Sequence, residues 1–200
     1  MTRCFNSVKF FGNYEVHKKV SEWRSKLYEL KLPENDVLIE KVIRDTFYPD
    51  ISKDIPLDFG TSWLMLDDGT MSIKENGIGF ISEGNPPNEL LKKIACLLFD
   101  ADKNVIVTNL YTLGDGSVGI SYSTPYDKKS AYFEDAFVDL NEYYEKYEDS
   151  QEAEEQSDLR LADLELEYLY DMMSDMPGTQ ETVKKYMGHL DVDWESFEEN

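Results

Sequence analysis

Apolar positions along this chain change their spacing several times, and each change marks an element. Ser7-Val8-Lys9-Phe10-Phe11 alternates and is rich in strand formers, then Gly12-Asn13 breaks it, which predicts a first strand and a tight turn. From Tyr14 onward Val16, Val20, Trp23, Leu27 and Leu30 fall at steps of three and four, the stripe of an amphipathic helix ending before Pro33. Over 33–60 the runs Val37-Leu38-Ile39 and Val42-Ile43 allow a short helix, but Pro49, Asp50, Pro56 and Gly60 predict a long irregular insertion. Ser62-Trp63-Leu64-Met65-Leu66, closed by the turn Asp67-Asp68-Gly69, predicts a strand, and Ile78-Gly79-Phe80-Ile81-Ser82 predicts another. Asn88 is the expected cap of a helix whose buried stripe is Leu90, Leu91, Ile94, Ala95, Leu98 and Phe99. Val105 to Tyr111 is the strongest strand, and Gly114-Asp115-Gly116 turns it into Val118-Gly119-Ile120-Ser121-Tyr122 as a hairpin.

After Pro125 the strands are expected to stop. Tyr132/Phe133, Ala136/Phe137, Leu140, Tyr143/Tyr144 and Tyr147 recur at helical steps, and a polar link comes next at 148–156. Leu159, Ala162, Leu166, Leu169/Tyr170 and Met173 repeat the pattern until Pro177-Gly178, and Thr179 to Met187 makes a last short helix. The order β-α-β-β-α-β up to Tyr111 is the ferredoxin-like arrangement. The expectation is therefore an α+β fold. Residues 1–125 form a ferredoxin-like sheet with one added strand, and 126–200 form an acidic helical extension packed on it.

A family resemblance is carried by Gly60-Thr61-Ser62-Trp63, by Gly79-Phe80-Ile81-Ser82 leading to Pro86-Pro87 and Glu89-Leu90-Leu91, and by Asn109-Leu110-Tyr111 with Gly114-Asp115-Gly116 and Gly119. In order and spacing this region, roughly 1–125, resembles the YubB/Api-like ferredoxin-fold proteins, accessory proteins of bacteriophages and plasmids. The resemblance implies a mobile-element protein in a bacterial host cytoplasm. It implies no reaction.

Charge changes the picture most. The net of −21 is uneven: residues 1–131 hold 19 acids and 16 bases, whereas 132–200 hold 22 and 4. Such a surface repels nucleic acid and membranes and attracts basic protein surfaces within a Debye length of about 8 Å. No apolar run approaches the ~18 residues of a membrane span, and the N-terminus lacks a signal layout, so the chain is expected to stay where it is made. Cys4 and Cys96, far apart, suit two buried thiols in a reducing cytoplasm better than a disulfide framework.

Candidate chemistry is thin. Gly114-Asp115-Gly116-Ser117-Val118-Gly119 spells a dinucleotide fingerprint, yet it leads into a strand where the phosphate site needs a helix N-terminus. Asp100-Ala101-Asp102 starts like a calcium loop, but Val105 and Tyr111 stand where Gly and Glu are required. His17, His189, Cys4 and Cys96 lie too far apart in sequence to suggest a metal or nucleophile site. No catalytic residue, metal or cofactor is expected.

The acidic stretch instead suggests a partner. Tyr132 to Asp175 carries 16 acids and 2 bases in 44 residues. One straight helix would place a net charge every ~4.7 Å, whereas an antiparallel pair would place one every ~2.4 Å. The second value lies between duplex DNA at ~1.7 Å and a single strand at ~3.4 Å. The expected role is a non-enzymatic inhibitor that occupies the basic, nucleic-acid-facing surface of a host defence protein: a nuclease, restriction enzyme or DNA-modifying toxin. Asp135, Asp139, Glu142, Glu145, Glu152, Glu154 and Glu155 would supply charge, and Tyr143, Tyr144 and Tyr147 would anchor it. The plain alternative is a solvated face. Two others are an enzyme or small-ligand protein using Asp45, Asp50, Asp58 and Asp67/Asp68 in the 33–68 region, and a homo-oligomeric structural protein.

Overall fold

The computed structural model describes residues 2–28, 36–52, 54, 56–61, 64–67, 77–188 and 190–195. Six strands form one antiparallel sheet in the order β2-β3-β1-β4-β5-β6: β1 (Arg3–Phe11), β2 (Leu64–Asp67), β3 (Ile78–Glu83), β4 (Ile106–Leu113), β5 (Val118–Pro125) and β6 (Ala131–Val138). Its helices are α1 (Tyr14–Tyr28), α2 (Asp36–Phe47), α3 (Asn88–Leu98), α4 (Leu140–Lys146), α5 (Ser150–Asp175) and α6 (Thr179–Tyr186). The architecture is α+β.

Strand alternation sends β1 residues Cys4, Asn6, Val8 and Phe10 under the first three helices, and Phe5, half exposed, to the opposite face. The larger core joins Val8, Phe10, Phe80 and Val107 of the sheet to Val20 and Leu27 of α1 and to Leu91, Ile94 and Leu98 of α3. A second core covers the other face toward its far edge. There Leu169, Met172 and Met173 of α5 and Val183 of α6 meet Ile106, Ile120, Tyr122, Tyr132 and Ala136.

Three expectations need correction. Residues 131–138 are not helix but the strand β6, paired with β5 from Val118↔Val138 to Pro125↔Ala131. Apolar neighbours in adjacent pairs satisfy a strand buried on both sides as well as a helix. Tyr132 and Ala136 enter the second core while Phe133 packs against the first. The sheet thus gains two strands beyond β4, and the boundary set at 125 falls at a hairpin within it.

The 148–156 link is also wrong, because α5 begins at Ser150. The side chain of Asp149 accepts from the amides of Gln151 and Glu152, at 2.8 and 3.1 Å, and caps that helix. The 33–60 insertion, finally, is helical over 36–47: Val42, Ile43 and Phe47 are buried, and Phe47 meets Trp23 edge-on at 5.2 Å. The strand expected at 62–66 runs 64–67, and Trp63 lies outside the described residues.

Leu169 is fully buried at the seat of α5. Leu169→Ala should cost about 2–5 kcal/mol of unfolding free energy by chemical denaturation. A loss under about 1 kcal/mol would mean that α5 is not packed on the sheet.

Candidate functional site

Asp139 opens α4, its carboxylate accepting from the Asn141 amide at 2.9 Å. The β4–β5 turn holds the same point, since the Leu140 amide donates to Ser117 Oγ at 3.1 Å. Gly116 has φ +93° there, and a side chain on it would crowd Leu140. The chain leaves α4 at Tyr147, whose ring stacks on Tyr143 at 6.3 Å, and re-enters a helix after Asp149. Tyr144 Oη donates to Glu154 Oε1 at 3.1 Å across the corner, and that acceptor raises the Tyr144 hydroxyl above its ordinary pKa.

This corner concentrates charge. Residues 139–155 include eight acids and one lysine, a net of −7, and Glu142, Glu145, Glu148, Asp149, Glu152, Glu154 and Glu155 are exposed. α4 packs against α5 here; set alongside each other over about 10 Å, the two segments would carry about one net charge per ~1.5 Å, against ~1.7 Å for duplex DNA. Over all of α5, nine acids and one arginine in 26 residues dilute this to about one per ~4.9 Å. Dense charge is thus local, the extent of a few base pairs. Among the described residues the ion pair shown on these helices is Arg160–Glu167 at 3.2 Å, within α5 itself. Gln151 Nε2 donates to Glu155 Oε1 at 2.9 Å and further orders the row.

The corner gathers Asp139, Glu142, Tyr143, Tyr144, Glu145, Tyr147, Glu152, Glu154 and Glu155. Asp135 is apart from it. It lies on β6, on the face toward α3, where Tyr111 Oη donates to its Oδ1 at 3.0 Å. Burial raises its carboxyl above the ordinary value, while hydrogen bonds from Tyr111 and Asn88 act the other way. Asn88 is thus turned to Asp135, and the cap position of α3 falls to Pro87 with no side-chain cap. Tyr111 reaches Asp135 across Gly119, where a Cβ would strike the Tyr111 ring and lie 2.7 Å from the Ala136 carbonyl. Glu148 and Asp149 belong to the corner although their sequence context is that of a polar link. Their charge was visible, and the turn that places them was not.

The remaining candidates are scattered. Asp45, Asp50 and Asp58 are exposed, and Asp58 accepts from the Gly60 amide at 2.8 Å. The Asp67 side chain and Asp68 lie outside the described residues, as does His189. Among the described residues no three His, Cys, Asp or Glu side chains group as a metal site. Gly114 to Gly119 is the β4–β5 hairpin, with the Leu113 amide donating to the Ser117 carbonyl at 2.8 Å. Asp102 accepts from the Asn104 and Asn13 amides, each at 3.0 Å. Cys4 and Cys96 are free and buried. No helix among the described residues is long and apolar enough to cross a membrane.

Compared with family models, curated proteins and solved structures, the chain matches none.

Two measurements check this electrostatic picture. A carboxyl raised on folding holds its proton more tightly in the folded chain, so its stabilising share is present at low pH and lost as pH rises through the raised value. Wild-type stability relative to Asp135→Asn should therefore fall as pH rises from about 4 to neutrality; a flat difference would contradict the assignment. Burial pushes the Cys4 thiol up to about 11 and raises Cys96 as well. A thiol reagent at pH near 8 should label neither residue until the protein unfolds, and rapid labelling of the folded chain would contradict their burial.

Proposed function

We propose that this protein is a non-enzymatic binder whose α4–α5 corner occupies the basic, nucleic-acid-facing surface of another protein. One observation carries the reading: a net of −7 over residues 139–155, on exposed carboxylates set by capped helices on a packed sheet. Attraction of this kind speeds encounter and selects partners by sign, and it weakens with salt. Tyr143, Tyr144 and Tyr147 add contact area with polar tips beside the charge. Asp139 contributes mainly as the cap of α4, and Asp135 acts by holding Tyr111 in place.

The strand order β2-β3-β1-β4 supports a ferredoxin-like scaffold extended by β5 and β6. Together with the resemblance to YubB/Api-like accessory proteins, it favours a bacteriophage or plasmid setting for the proposed role. The partner is then a host defence nuclease, restriction enzyme or DNA-modifying toxin in the bacterial cytoplasm, inhibited by partial mimicry of nucleic acid.

The test uses the immobilised full chain and bacterial lysate. A variant with Glu145→Gln, Glu152→Gln, Glu154→Gln and Glu155→Gln spares both caps and serves as the comparison. The wild type should retain nucleic-acid-binding proteins that duplex DNA or raised salt displaces, and the variant should retain about tenfold less. Equal retention by the variant, or retention indifferent to DNA and salt, would refute the proposal.

A further inference from the structure

In a chain with 41 acids and 20 bases, one cleft is lined by more cations than anions. It encloses about 410 Å³ between α3, the turn joining β5 to β6 and the segment after α2, a volume within the range of small-molecule sites. Helical spacing puts Glu89, Lys92, Lys93 and Cys96 on one side of α3, and all four line the cleft. Tyr48, Asp58 and Lys129 line it from the other segments.

Local bonds decide which of these charges is free to meet a ligand. Lys92 Nζ is 2.5 Å from Glu89 Oε1 and lies over the Phe133 ring, so that pair neutralises itself. Asp58 is engaged by the Gly60 amide. Among the described residues neither Lys93 nor Lys129 is in an ion pair. Lys93 Nζ is held 5.6 Å from the centre of the Tyr48 ring. Lys129 is placed by its turn, where Asp127 Oδ1 accepts from the Lys129 and Ser130 amides at 2.6 and 2.8 Å. Two cations from two elements therefore meet at one cleft.

Tyr48 is a second, independent sign. It is only 7% exposed, and among the described residues its hydroxyl has no hydrogen-bond partner, whereas buried phenols ordinarily find one. Burial raises that hydroxyl above its ordinary pKa, and the Glu89 and Asp58 carboxylates act in the same sense. The phenol keeps its proton and can donate it to a ligand oxygen.

The donor set selects the ligand. Ammonium groups bind phosphate as point charges, whereas planar carboxylates favour the guanidinium fork, and the described lining holds lysines and no arginine. Two ammonium groups and a neutral phenol match a dianion with three acceptor oxygens. We propose that this cleft binds a phosphate group, free or as the monoester of a small molecule, with Lys93, Lys129 and Tyr48 as its donors. The site uses none of the residues of the α4–α5 corner and does not rest on the role proposed for it.

The probes are inorganic phosphate and glycerol 3-phosphate, titrated into isotope-labelled full-length protein at an ionic strength held constant with sodium chloride. Amide resonances of residues 92–96 and 129–131 should shift and saturate. Tighter binding of glycerol 3-phosphate assigns the monoester and equal or weaker binding assigns free phosphate; either result upholds the site. The double variant Lys93→Gln, Lys129→Gln should weaken binding by about tenfold or more. Tyr48→Phe, which keeps the buried ring, should weaken it several-fold. Lys128 is paired with Asp100 at 2.6 Å, so Lys128→Gln should leave binding unchanged.

Shifts reproduced by chloride alone, undiminished affinity in the double variant, or an equal loss in Lys128→Gln would overturn the site. Concentration-dependent association in sedimentation, abolished by the double variant, would overturn it in favour of the acidic corner of a second copy.

Discussion

Leu169, Met172 and Met173 seat α5 on Ile106, Ile120 and Tyr122, and the acidic surface exists only because this contact outweighs the repulsion it must hold. Along α5 six pairs of acids stand three or four residues apart, from Glu152 and Glu155 to Asp171 and Asp175. At about 0.2–0.5 kcal/mol per pair the repulsion is about 1–3 kcal/mol. Burying three large apolar side chains contributes about 1.5–3 kcal/mol each, so packing wins. The cap at Asp149 and the early Glu152 lie at the positive end of the helix dipole and add to the margin. No basic residue lies in the last turn, so that end relies on packing alone.

Around that seat the molecule divides its surface by chemistry. One sheet face is closed by α1, α2 and α3, and the other only in part by α5 and α6. Phe5 and Leu110 on that face are exposed. Cys4 is buried with a raised pKa, and Asp135 accepts a hydrogen bond from Tyr111.

Much of the fold was legible because its strands and helices bury one face. The stripe Val16, Val20, Trp23 and Leu27 in α1, and Leu90, Leu91, Ile94 and Leu98 in α3, are core residues in the structure. The failures share a cause. In β6, Tyr132 and Ala136 are buried on one face, Phe133 is partly buried on the other and Phe137 is exposed, so apolar side chains on both faces hide the period of two. In α2 the prolines beyond the helix outweighed its short stripe. Charge, which needs no geometry to count, located the acidic region correctly, but the sequence could not say that α4 and α5 fold it into a corner. Nor could it separate Asp135 from its neighbours, because the partner of that carboxylate is 24 residues away on β4. Leu110 sits in the strongest strand, and its 46% exposure is tertiary information that the strand pattern does not carry.

Amide hydrogen exchange across α5 at neutral pH and low salt bears most directly on whether the carboxylates form a fixed array. Residues 157–173 should exchange with protection comparable to β4 and β5, through opening of the whole fold. Exchange of that stretch near the rate of an open chain, with the sheet still protected, would contradict the account.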